Sequence, residues 1–108
     1  MAPLAIVTKF LLLLDGQKDY NAAAMLLDDH FEFVSPKKSF KSKADWIEGF
    51  PAFHKDPPIF DLPRLSEAHS HQVLRNGKKK FGPIKVSLVE SYEVNQEGKI
   101  ERLSVSRA

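Results

Sequence analysis

The sequence predicts an α+β domain, with helices gathered on one face of a curved antiparallel sheet, and three observations predict it. Leu4, Val7, Phe10, Leu11 and Leu14 recur at the three-and-four spacing that lays one stripe along a helix. Ile84, Val86, Leu88, Glu90, Tyr92 and Val94 recur at spacing two, as on one face of a strand. Finally, helix-type segments come first and strand-type segments last, an order that stacks helices against an antiparallel sheet.

The first stripe ends at Asp15-Gly16, where the glycine is expected to take a left-handed cap conformation. Asp19 caps a second helix whose buried face is Tyr20, Ala23, Ala24 and Leu27. The stretch from His30 to Ser35 alternates, with Phe31 and Phe33 on one side, and Pro36 closes it as a short strand. Ser42-Lys43-Ala44-Asp45 resembles a capping box opening a third helix, which turns Trp46, Ile47 and Phe50 inward. Pro51 removes a backbone donor, so that helix is expected to kink or split before His54. Pro57, Pro58 and Pro63 suggest an extended connector.

Beyond Glu67 the pattern is β throughout. Asn76-Gly77 is the strongest hairpin signal, because a type I′ turn needs positive φ at both central residues. Arg75, Lys78, Lys79 and Lys80 would then crowd a solvated hairpin tip, or contact an anion or an acidic partner. Pro83 and a change of apolar parity after Phe81 suggest a bulge. Residues 95 to 98 turn the chain, and Lys99 to Arg107 return as the last strand.

Composition narrows the function. At 108 residues the chain has room for one core, so residues 1–108 are read as one domain. A net charge of +2 gives no field that would drive it onto nucleic acid or a membrane. It has no cysteine, which removes thiolate chemistry and cysteine-ligated metal and fits a reducing compartment; the expected location is cytoplasmic. The apolar run Phe10 to Leu14 lacks the preceding basic residues of a signal peptide and is too short to span a bilayer, so it is read as part of a buried helix.

The order and spacing of these pieces resemble the nuclear transport factor 2-like superfamily, also called SnoaL-like or cystatin-like. The residues that carry the resemblance are Asp15-Gly16, the stretch from Met25 to Phe33, Lys43 to Ile47, and Tyr92 to Ile100. The resemblance implies a cone: a curved sheet around helices, enclosing an apolar pocket, often dimeric through the outer sheet face. Members include isomerases, polyketide cyclases, dehydratases and non-catalytic modules, so fold alone does not assign chemistry. In the ketosteroid isomerase pattern a general-base aspartate precedes a proline. That place is Ser35 here, the oxyanion tyrosine falls near Lys9, and the second oxyanion acid falls on Glu90. With the base missing, that isomerisation is not expected.

Glu90 is the most informative residue, because it interrupts an apolar strand face. A buried carboxylate must pair or take a proton. It either anchors a ligand or pairs near the sheet rim with Arg102 or a lysine. Phe10, Phe33, Trp46, Phe50 and Tyr92 are the candidate ligand-lining residues beside it. Glu67, His69 and His71 share a strand face, but residues two apart on a flat strand diverge more readily than they chelate, so no metal is expected. The reading is a cofactor-independent protein that holds a small, mostly apolar molecule between helices and sheet. Its alternatives are a cyclase, isomerase or dehydratase using Glu90 and His71 for proton transfer, or a dimeric assembly module.

Overall fold

The computed structural model describes residues 2–53, 64–69, 71–81 and 83–107, and the side chains of all of these except 64–69 and 79–81. Helix α1 (Pro3–Leu11) opens with proline at its start, where a missing N–H is harmless. It runs on into a π-helical turn, Leu12–Gly16, closed by Gln17 N–H donating to the Leu12 carbonyl at 3.1 Å. The expected glycine cap is therefore corrected: the widened turn carries the helix through Gly16, and the left-handed residue is Lys18, at φ 52°. Helix α2 (Tyr20–Ala24) is capped by Asp19, whose carboxylate accepts from Ala22 N–H at 3.0 Å.

Strand β1 (Leu27–Val34) starts earlier than expected, and Leu27 belongs to it rather than to α2. It pairs with the short β2 (Ser39–Phe40). Helix α3 (Lys43–Phe53) begins as read, with Asp45 N–H donating to Ser42 Oγ at 3.1 Å. Pro51 lies inside it without ending it. Gly49 is where α3 meets β2: a Cβ there would stand 2.5 Å from the buried Phe40 ring, so only glycine allows this approach. The connector expected at Pro57, Pro58 and Pro63 lies outside the described residues.

Strands β3 (Arg64–His69), β4 (Gln72–Phe81), β5 (Ile84–Val94) and β6 (Ile100–Arg107) complete a six-stranded sheet of order β2-β1-β6-β5-β4-β3. The sheet is mixed rather than wholly antiparallel, because β6 lies parallel to β1. The intervening chain, helix α3 included, supplies the crossover that parallel pairing needs. The hairpin expected at Asn76-Gly77 is corrected too. Both residues sit in mid-strand, with Asn76 opposite Arg64 on one side and Val89 on the other. The chain reverses instead between β3 and β4 and again between Phe81 and Ile84, and the β4–β5 ladder passes Phe81 opposite Ile84 without the expected bulge. The turn at residues 95–98 is as read: Gly98 has φ +79°, and Asn95 N–H donates to the Lys99 carbonyl at 2.8 Å.

The helices cover one sheet face. Val7, Phe10 and Leu14 of the first stripe are buried there, with Ile6 beside them, against Phe31, Phe33, Trp46, Tyr92 and Leu103. Among the described residues no helix is long and apolar enough to cross a membrane.

Candidate functional site

The inward face of β5 carries Leu88, Glu90, Tyr92 and Val94, all buried, as period-two alternation requires. The neighbouring strand β4 turns Val73 and Arg75 the same way, and Arg75 stands directly opposite Glu90 in the ladder. Arg75 Nε donates to Glu90 Oε1 at 2.5 Å, and Tyr92 Oη donates to the same oxygen at 2.8 Å. Arg75 Nη1 reaches back to Asp15 Oδ2 at 3.0 Å, across from sheet to π-helical turn. The four groups form one chain: acid, guanidinium, acid, phenol.

Glu90 therefore pairs within the interior, and its partner is Arg75 rather than Arg102. Arg102 lies 3.7 Å from Glu32 in an exposed pair between β1 and β6. The two bonds to Glu90 converge on Oε1, and no described residue donates to Oε2. The Glu90 side chain keeps 9% of its exposed area, so it is buried but not sealed.

Electrostatics fix the protonation of two members. Burial pushes the Tyr92 phenol well above its ordinary value, and the Glu90 charge pushes it further, against the smaller opposing pull of Arg75. Tyr92 is thus a neutral donor at physiological pH. Burial on its own would lower Arg75, but the negative charge of its neighbours outweighs that and holds it above the usual arginine value. Arg75 stays a cation.

Around this network stands an aromatic cluster. Phe10 meets Trp46 and Tyr92 with ring centroids 6.1 and 6.2 Å away. Trp46 stacks on Phe50 at 4.8 Å, and Phe50 meets Phe33 at 5.6 Å. The structure thus brings together Phe10, Phe33, Trp46, Phe50, Glu90 and Tyr92 in one interior. His71 is not with them: it is exposed in the β3–β4 turn, four positions along from Arg75. Four positions of strand are about 13 Å, too far for His71 and Glu90 to share one reacting atom. The side chains of Glu67 and His69 lie outside the described residues, and among the described residues no cluster of histidine and acidic side chains suits a metal ion.

Sequence reasoning missed Arg75 and Asp15. The turn signal at Asn76-Gly77 puts Arg75 at a basic hairpin tip, although its spacing of two from Val73 marks it as inward once β4 runs unbroken. Asp15 carried only a helix-ending signal. Its contact with Arg75 depends on the π-helical turn, which no residue pattern announces.

No family model and no curated protein matches the chain by sequence. Solved structures do match. A protein from Sphaerobacter thermophilus is 17% identical with a TM-score of 0.79, covering 100% of this chain and 97% of its own. An NTF2-like protein of unknown function from Cytophaga hutchinsonii is 16% identical with a TM-score of 0.76, covering 100% and 92%. A steroid delta-isomerase from Pseudomonas aeruginosa is 15% identical with a TM-score of 0.73, covering 100% and 81%. At these identities the likeness is one of architecture, and it is consistent along the whole length: this chain has the nuclear transport factor 2-like α+β cone fold.

Proposed function

We propose that the protein binds a small, mostly apolar molecule between helices and sheet, with Glu90 as the polar anchor and Phe10, Phe33, Trp46, Phe50 and Tyr92 as its apolar surroundings. The observation that carries this reading is the asymmetry of the Glu90 carboxylate. Arg75 and Tyr92 hold Oε1, while Oε2 takes no donor from the described residues. A carboxylate oxygen held rigidly in an apolar setting selects a guest with a hydroxyl or amine donor, because a site built around a polar group rejects partners that leave it unmatched. The test is binding of 4-tert-butylcyclohexanol against tert-butylcyclohexane, by calorimetry, to the native chain and to Glu90→Gln. The expected result is about tenfold tighter binding of the alcohol by the native chain, shrinking in the variant. Equal affinities for alcohol and hydrocarbon would remove the anchor.

A second reading is proton transfer by Glu90 in an enzyme of the isomerase, cyclase or dehydratase kind. The same Oε2, which takes no donor from the described residues, supports it, together with the fold shared with a steroid delta-isomerase. Here Glu90→Gln separates the two: an enzyme loses turnover while keeping its substrate, and a binding protein has no turnover to lose. A homodimer through the outer sheet face belongs to the same proposal. Leu74, Ser91 and Ser104 stand side by side there across β4, β5 and β6, and sedimentation at two concentrations tests it.

A further inference from the structure

The β4–β5 hairpin runs on past its neighbours in the sheet. Strand β6 ends its pairing at Arg107, opposite Leu88, so among the described residues Ile84–Ser87 have β4 as their only partner strand. Alternate residues of that stretch turn an N–H and a C=O toward the open side, and no backbone bond from another described residue reaches them. An edge of this kind is a template for one more strand. Its two faces differ in chemistry. Ile84 and Val86 continue the row of Leu88, yet Ile84 is 63% exposed. Lys85 and Ser87 take the opposite face, where the register sets Lys78 beside Ser87. Charge gathers here too: residues 76–89 contain Lys78, Lys79, Lys80 and Lys85 and none of the chain's 14 acidic residues, although the whole chain carries only +2. Salt screens beyond about 8 Å at physiological strength, so a docking segment meets this local charge and not the net one.

We infer that the β5 edge at Ile84–Ser87 is a docking site for an acidic, extended segment of another protein. The segment adds to the sheet as a further strand, with apolar side chains on the Ile84 and Val86 side and carboxylates on the Lys85 side. This site is separate from the interior and does not depend on the ligand reading. The open edge presents donors and acceptors in alternation, which a polypeptide backbone matches. A phosphate backbone supplies acceptors alone, and hydrocarbon leaves both kinds of group unmatched. A second copy of the same edge would set four lysines against four, and like charges across paired strands are unfavourable. Lysines by themselves guard an edge against aggregation. The exposed Ile84 works against that guard, and a partner's apolar side chain would cover it.

The experiment titrates the nitrogen-15-labelled chain with an acetylated, amidated peptide of four Glu-Val repeats, and follows backbone amide shifts and hydrogen exchange. A peptide of the same sequence with N-methylated amides along its pairing edge has the same charge and cannot pair. The inference predicts saturable shifts centred on Ile84–Ser87, slower exchange at alternate amides there, and at least about tenfold weaker binding of the N-methylated peptide. Binding should weaken as salt rises from about 50 to about 500 mM. Lys85→Glu, an exposed change, should lower affinity at least about tenfold, and the N-methylated peptide supplies its answer without any variant. Absence of binding, shifts centred elsewhere, or equal binding of the two peptides overturns the strand addition. So does tighter binding of an oligonucleotide or of phosphatidylserine vesicles at the same residues. Protection of these amides that grows with protein concentration alone would name a second copy as the occupant and overturn the acidic segment.

Discussion

Among the described residues, two arginine–glutamate ion pairs join neighbouring strands of the sheet, and they differ in everything except composition. Arg75 and Glu90 join β4 to β5 on the helix-covered face, each side chain 9% exposed, 2.5 Å apart. Glu32 and Arg102 join β1 to β6 with side chains 44% and 47% exposed, 3.7 Å apart. The first pair gains additional partners, Tyr92 on the carboxylate and Asp15 on the guanidinium. Water screens the second. The same two residue types in register therefore make a fixed interior device in one place and ordinary surface decoration in the other, and only the parity of the strand separates them.

The largest expected effect comes from breaking the interior pair on one side. Arg75→Ala takes from the buried Glu90 the guanidinium that holds its carboxylate and is expected to destabilise the chain by about 3–5 kcal/mol, read from urea unfolding. Replacing both partners together, as Arg75→Met with Glu90→Leu, is expected to restore most of that loss, because removing both charges removes the desolvation that burdened them. A double variant no more stable than Arg75→Ala would contradict the pairing.

Tyr92→Phe comes next. Deleting one hydrogen bond to a buried carboxylate is expected to lower stability by about 1–3 kcal/mol. It also carries a pH signature. A phenol raised in the folded state contributes stability in full below its unfolded value, about 10, and that contribution is lost as pH climbs from there through the higher folded value. The native chain should therefore weaken steeply above about pH 10, and the variant less so. Parallel alkaline unfolding curves would show that Tyr92 is not confined as described. The smallest effect belongs to the surface pair: Arg102→Ala should change stability by less than about 1 kcal/mol, and what change there is should vanish at high salt.

The sequence made the helix order, the caps at Asp19 and Ser42 and the inward parity of β5 readable, because each rests on contacts between near neighbours in the chain. Glu90 was legible for the same reason, as the one acid on an apolar face. Its partner was not. Asn76-Gly77 is a strong local turn signal, worth a fraction of a kcal/mol to about one, and it lost to a ladder that pairs β4 with strands on both sides. Misplacing that turn moved Arg75 from the interior to a loop tip. Parallel pairing of β1 with β6 and the reach of Asp15 across to Arg75 join residues some sixty or more positions apart, beyond any local pattern.

The central claim is that Glu90 points inward with one oxygen held and the other left for a guest. A crystal structure of the native chain at a resolution that distinguishes the two carboxylate oxygens tests it most directly. The account predicts Arg75 Nε and Tyr92 Oη on one oxygen, and water or a bound molecule on the other. Glu90 turned to the outer face, or its second oxygen taken by another donor of the chain, would contradict it.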